Sequence, residues 1–146
     1  MLSFRDQPGA RQVVIVGCGR TGASIATTLA ERRHFVHLLD PNPAVYDALP
    51  SSLINEGFIV PVVGDGTLED DLRRASTQEA DVFVAVSGKD AGNALAAQMA
   101  HHLFQVPRVI CRIGDPTSKE MYSRLGLSTI SPAAMVTDTV LEAVEE

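Results

Sequence analysis

The chain has 146 residues, 45% of them apolar and 21% charged, with a net charge of −6. That length suits one domain with a real hydrophobic core, and the composition excludes a disordered chain. The acidic balance argues against nonspecific nucleic-acid binding, which needs Lys and Arg on phosphates, and no apolar run approaches the roughly 18 residues that span a bilayer.

Residues 1–11 read as a polar leader with Pro8-Gly9, without the apolar stretch of a signal peptide, and residues 12–146 as the domain. Val13-Val14-Ile15-Val16 is β-branched throughout, as suits a strand buried on both faces of a parallel sheet. Residues 20–33 follow as a helix, with Ile25, Leu29, Ala26 and Ala30 available for one face. Residues 35–39 form the second strand. Asn42 can cap a short helix that carries Val45, Tyr46 and Leu49 and ends at Pro50.

The third strand, residues 59–63, contains Pro61, which cannot donate to a ladder and belongs at a sheet edge. Residues 67–75 make a short helix, acidic first and basic last, in keeping with its dipole. A fourth strand at 81–86, an alanine-rich helix at 90–104 and a fifth strand at 108–113 come next. A helix at 116–125 stops at Gly126, a short strand covers 128–130, and a last helix starts at Pro132. This alternation predicts an α/β fold, a Rossmann-type doubly wound parallel sheet in the order 3-2-1-4-5-6, where the third strand is an edge.

Gly17-Cys18-Gly19-Arg20-Thr21-Gly22 is a G-x-G-x-x-G placed between a strand and a helix, and Asp40 ends the second strand. That context gives an otherwise weak motif its meaning. Gly17 permits the tight turn, Gly19 lets backbone approach a diphosphate, and Gly22 lets helix and strand pack closely. The free N–H groups and dipole of the helix start would hold phosphates. Asp40 would accept from ribose hydroxyls and repel a 2′-phosphate, which favours NAD(H), ATP or ADP over NADP(H).

Other candidates line the same strand ends. Asp65, Gly66 and Thr67 reach the adenosine end or form a capping turn. Ser87 and Gly88 pass beside the phosphates or cap a helix. Arg20 and Arg112 reach phosphates, or remain solvated, with Asp115 as a surface partner for Arg112. Cys18 and Cys111 show no metal spacing and read as reduced thiols of a cytoplasmic protein. His34 would complement a helix dipole, and His37 would pack in its strand. His101 and His102 would point in different directions, so no metal site is expected. No nucleophile–base pair is spaced for catalysis. Lys89, Asp90 and Asp115 are explained by capping and solvation, and no second domain supplies a substrate pocket, so no catalytic residue is assigned.

Val16 to Gly22, Asp40, the run Val62-Val63-Gly64-Asp65-Gly66-Thr67, Asp81, and Val86-Ser87-Gly88-Lys89-Asp90 with Asn93 form one combination. Arg112-Ile113-Gly114-Asp115-Pro116 and Tyr122-Ser123-Arg124-Leu125-Gly126, leading to Ile130-Ser131-Pro132, complete it. Together they resemble the N-terminal domain of the regulator of potassium conductance family, close to the cytosolic TrkA/Ktr-type subunits of potassium uptake systems. The resemblance runs from Arg11 to Glu142. It implies a cytoplasmic nucleotide sensor, peripheral to the inner face of the membrane. Such a sensor assembles as a dimer or ring and controls a membrane-embedded potassium channel or transporter subunit. By the same resemblance the glycine loop, Asp40, Asp65, Thr67, Ser87 and Arg112 are ligand-lining. Ala133 stands where the family often carries Glu, which argues against a divalent-ion link there. Family members commonly carry a smaller C-terminal ligand domain as well. The competing readings are an NAD-dependent oxidoreductase fragment and an interaction scaffold with an empty pocket. Self-association would use the small-residue face of Ala91, Ala94, Ala96, Ala97 and Ala100.

Overall fold

The computed structural model describes residues 9–146, so most of the expected leader lies outside the described residues. Six parallel strands form one sheet in the order β3-β2-β1-β4-β5-β6. They are β1 (Gln12–Val16), β2 (Phe35–Asp40), β3 (Ile59–Val63), β4 (Val82–Ala85), β5 (Arg108–Arg112) and β6 (Ser128–Ile130). The helices are α1 (Arg20–Glu31), α2 (Ser51–Asn55), α3 (Glu69–Arg74), α4 (Asp90–His102), α5 (Lys119–Arg124) and α6 (Pro132–Glu145). The expected doubly wound α/β fold is therefore the observed one.

β1 lies between β2 and β4, and its alternating side chains feed two cores. Val13 and Ile15 join Val36, Leu38, Ile59, Ala26 and Ala30 on one face. Val14 and Val16 join Leu39, Leu72, Phe83 and the alanines of α4 on the other. This two-sided burial is why the strand sequence has no polar alternation. Pro61 sits in β3 at the end of the sheet order, as its missing N–H requires.

Helix α1 buries only the small stripe Gly22, Ala26 and Ala30, while Ile25 and Leu29 are half-buried beside it. The helix ends before Arg33, two residues earlier than the sequence pattern suggested. Arg33 takes a left-handed φ of 68°, and the N–H of His34 closes onto the Leu29 carbonyl at 3.0 Å. The Arg33 guanidinium stacks over Phe58 at 4.8 Å and faces Glu56 at 3.5 Å, which helps to hold a backbone conformation that residues other than glycine rarely adopt. His34 does not serve the helix dipole. Its Nδ1 accepts the Arg11 N–H at 3.0 Å, so the ring splices the chain entering β1 to the chain entering β2.

The short helix expected after Asp40 is a 3₁₀ helix, Pro43–Ala48, capped by Asn42 and ended before Pro50, and a further helix that the sequence pattern did not separate, α2, starts beyond Pro50. Proline at that boundary fits, because the first turn of a helix needs no N–H from it. The alanine face of α4 is not a free surface. Ala94, Ala96, Ala97 and Ala100 are buried on β4 and β5, with only Ala91 exposed, because Phe83 and its neighbours leave room for small side chains alone. The unpartnered surface is α6, which has no buried residue and exposes Met135, Val136, Val140, Leu141 and Val144. Among the described residues no helix is long and apolar enough to cross a membrane.

Both cysteines are buried, Cys18 behind the glycine loop and Cys111 in β5. Burial pushes each thiol up to about 11, and the carboxylates of Asp40 and Asp90 add to the two shifts respectively. At pH 8 that lowers the thiolate fraction from about a tenth to about a thousandth. Alkylation of the native protein at pH 8 is therefore expected to be slow at both thiols and to become fast in denaturant. Rapid labelling of either thiol in the native state would contradict this packing.

Candidate functional site

The carboxyl ends of β1, β2 and β4 diverge into a crevice at the point where strand order reverses, the position at which doubly wound sheets hold ligands. Its floor is the glycine loop. Gly17 has a φ of +104°, and a Cβ there would lie 2.7 Å from the Ser87 nitrogen. A Cβ on Gly22 would overlap the Gly17 carbonyl, whereas a Cβ on Gly19 would meet nothing within 4 Å. The outer two glycines thus let the chain close on itself, and the middle one leaves open space above the loop. Gly19 caps α1 without any side-chain hydrogen bond, so the first-turn N–H groups have no capping side chain.

Asp40 ties this loop down. One carboxylate oxygen accepts the Cys18 N–H at 2.9 Å and the other accepts the Asn42 N–H at 2.9 Å. A carboxylate oxygen has two acceptor positions, so each keeps one for a further donor.

Two adjoining cavities make up the crevice, of about 470 and 450 Å³. Gly17, Asp40, Ser87 and Gly88 form their common wall. Asp65, Gly66, Thr67 and Lys89 line the first, while Cys18, Gly19, Arg20, Thr21 and Arg112 line the second. Of the sequence candidates, Gly22 alone lines neither cavity and lies behind the loop. Cys18 contributes backbone edge only, since its side chain is buried and its N–H is bound to Asp40.

Asp65 forms the expected turn while lining the crevice. One of its oxygens accepts both the N–H and the hydroxyl of Thr67, at 2.8 and 2.7 Å, and these bonds hold its carboxyl below the usual carboxylate range. Arg112 does not pair with Asp115. The Asp115 carboxylate instead takes the N–H and hydroxyl of Thr117 and the hydroxyl of Ser118. Among the described residues neither Arg20 nor Arg112 has an ion-pair partner, which leaves both guanidinium groups available at the second cavity.

Sequence reasoning gave no site role to Asn93. It is fully buried in the first turn of α4 and binds Ser87 and the Arg112 carbonyl, joining the ends of β4 and β5. A buried asparagine in an otherwise alanine-rich helix was the available signal. The two adjacent histidines also differ from expectation, since the rings of His101 and His102 meet edge-on with centroids 4.8 Å apart. Among the described residues no group of three His, Cys, Asp or Glu side chains could hold a metal ion.

A larger cavity of about 600 Å³ lies on the α1 side of the sheet. Its walls are mostly apolar, with Ile25 and Leu29 from α1, Val82 and Val84 from β4, and Met135 from α6, although Arg11, Thr21, His34 and Arg112 also line it. It has few polar groups to orient a nucleotide, so the smaller strand-end crevice is the candidate site.

Comparison with known proteins agrees with this architecture. The family model of the TrkA-N domain matches residues 13–132. The Trk system potassium uptake protein TrkA of Streptomyces coelicolor is 38% identical over 129 residues, which are 88% of this chain and 56% of that protein. The protein of the same name from Azorhizobium caulinodans is 35% identical over 138 residues, 89% of this chain and 29% of that protein. The chain thus spans little more than half of the first relative and less of the second. Among solved structures, the Kef CTD of Shewanella denitrificans in AMP-bound form aligns with a TM-score of 0.74 at 20% identity, over 92% of this chain and 80% of that one. GsuK bound to ADP aligns at 0.72 and 22%, over 89% of this chain and 32% of that one. The GsuK channel bound to NAD aligns at 0.65 and 17%, over 86% and 22% respectively. These structural likenesses speak to the fold, and the family match and the curated relatives speak to descent. The chain belongs to the TrkA-N domain family.

Proposed function

We propose that this domain is a cytoplasmic nucleotide-binding regulator of a membrane-embedded potassium channel or transporter subunit, and that it binds NAD(H) or ATP/ADP without turning them over. The observation that carries this reading is the crevice itself, where a helix start without a capping side chain, a carboxylate with spare acceptor positions and two guanidinium groups that have no ion-pair partner among the described residues converge. The relatives named as potassium uptake proteins supply the transport half. The neighbours whose structures hold AMP, ADP or NAD supply the ligand class.

Phosphates would lie over Gly19 on the N–H groups of α1, with Arg20 and Arg112 reaching their oxygens. Asp40 would take the ribose hydroxyls with its remaining acceptor positions. Regulation without turnover is supported by how the nearby acids are held. Asp90 accepts the Gly114 N–H at 2.9 Å, and Asp115 is bound up with Thr117. Lys89 is exposed and lies in the first cavity, beside Asp65. For nucleotide to act as a signal, different ligands must favour different states of the assembly.

Self-association belongs to the same reading, through α6 and not through α4. An apolar helix with no buried residue and an apolar groove partly bordered by it offer complementary surfaces to a second copy.

Adenine nucleotide at about 100 times its dissociation constant should add roughly 2.7 kcal/mol of stability. NAD(H), ATP and ADP at millimolar concentration should therefore raise the melting temperature by several degrees, and no response to any of them would refute nucleotide binding. Asp40→Ala should weaken NADH binding by about 1.5–3 kcal/mol, the range for hydrogen bonds to a charged group, and should narrow the gap between NADH and NADPH. Calorimetric titration of both cofactors reads the ratio.

Arg20→Ala should compress the affinity difference between ATP and ADP. Prolonged incubation of either nucleotide, or of NADH, with the repurified protein should return no product. Product that disappears with a crevice substitution would establish an enzyme, of which an NAD-dependent oxidoreductase fragment is the foremost alternative.

The domain should sediment as a dimer or larger species at tens of micromolar. Val136→Glu combined with Leu141→Glu should yield monomer without loss of the fold, since neither side chain is buried. A wild-type monomer under all nucleotide conditions would refute assembly by this domain.

A further inference from the structure

The buried amide of Asn93 fixes the location of a proton at the wall shared by the two cavities. Its Oδ1 accepts the Ser87 N–H at 2.9 Å and lies 2.7 Å from the Ser87 hydroxyl oxygen. Its Nδ2 donates to the carbonyls of Ser87 at 2.9 Å and Arg112 at 3.1 Å. A backbone N–H can only donate and a carbonyl can only accept, so the amide has one workable orientation. Rotating it by half a turn would set NH₂ against N–H and the amide oxygen against two carbonyls. Oδ1 carries no proton, so the bond at 2.7 Å must be donated by the Ser87 hydroxyl. The same hydroxyl oxygen accepts the Lys89 N–H at 3.3 Å. Ser87 is left with one acceptor lone pair and no proton to offer a ligand.

The place of this lone pair in the fold matters. Sheet order runs β2, β1, β4 across the crevice, with Asp40 at the end of β2, the glycine loop after β1 and Ser87 after β4. Ser87 lines both cavities, and a nucleotide whose ribose met Asp40 and whose diphosphate crossed the loop would bring the group after the diphosphate to it.

Resting on the nucleotide-binding reading above, we infer that Ser87, held by Asn93, faces this part of the ligand as a hydrogen-bond acceptor. It thereby favours a nucleotide whose diphosphate is followed by a second ribose over one with a further phosphate. A ribose hydroxyl donates to the lone pair directly. A phosphate oxygen meets lone pair with lone pair, and turning the serine hydroxyl toward it breaks the 2.7 Å bond to Asn93. Anion recognition then falls to Arg20, Arg112 and the α1 N–H groups. Asn93 is a positioning residue, since it acts through Ser87.

ADP-ribose and ATP share the ADP half and differ in the group that reaches Ser87, which makes them the probes. Their affinities are measured by calorimetry for the wild type, Ser87→Ala and Ser87→Thr. Ser87→Ala should weaken ADP-ribose by about three- to tenfold, the affinity equivalent of one neutral hydrogen bond, and leave ATP unchanged or tighter. Ser87→Thr keeps the hydroxyl and should restore the wild-type ratio. Asn93→Ala frees the serine proton and should shift the ratio toward ATP. Loss of both ligands in equal measure in Ser87→Ala, or a greater loss of ATP, overturns the inference while leaving nucleotide binding intact. Failure of wild type to bind any adenine nucleotide overturns the reading on which it rests as well.

Discussion

The crevice depends on a contact that leaves no room for a β-carbon. The first turn of α1 presses on the Gly17 carbonyl, and Gly17 presses on the backbone of Ser87. Because these three backbone segments touch, the end of β1, the start of α1 and the loop after β4 form one rigid corner. Asp40 adds a carboxylate bridge from β2 to the same corner through the Cys18 N–H. The open space above Gly19 is what this close packing leaves over. A nucleotide bound on such a corner, as proposed above, would need little ordering of the protein, which would keep the entropic cost of binding low.

The small residues of α1 and α4 follow from the same geometry. Ala26 and Ala30 bring α1 near β1 and β2, and the alanines of α4 bring it near β4 and β5. Large side chains come from the strands, with Phe83, Ile15, Leu38 and Leu39 fully buried. The apolar residues of α6 are not packed down in this way: Met135 borders the cavity over β4, and no residue of the helix is buried.

Most of the fold was legible because the strands announce themselves. Val13 to Val16 can hardly be anything but a strand buried on both faces, and Pro61 identifies its strand as an edge. The glycine spacing and Asp40 located the crevice for the same reason, since each glycine answers a local steric demand. Side-chain partners were less legible. His34 lay next to a helix end in sequence, but its partner is the N–H of Arg11, brought near only by strand pairing. The alanine face of α4 could have packed on the sheet or on another helix, and periodicity does not say which surface will lie opposite. Asn93 was visible as a motif residue, yet its bonds to Ser87 and Arg112 exist only once β4 and β5 are adjacent. Arg112 offered Asp115 as a neighbour in sequence, but local turn chemistry with Thr117 claimed that carboxylate first.

Pro61 has one more effect. The Val36 N–H binds the Phe58 carbonyl and the Gly64 N–H binds the Asp40 carbonyl, so the even-numbered residues of β3 face β2 and the odd-numbered ones face outward. The nitrogen of Pro61 is therefore on the open side of the sheet, where its missing hydrogen breaks no existing bond. An incoming strand, by contrast, would find the donors of Ile59 and Val63 separated by a ring that neither donates nor lets a neighbour draw close. Strand-by-strand growth into an extended sheet, the common route from exposed edges to aggregates, is blocked at that position.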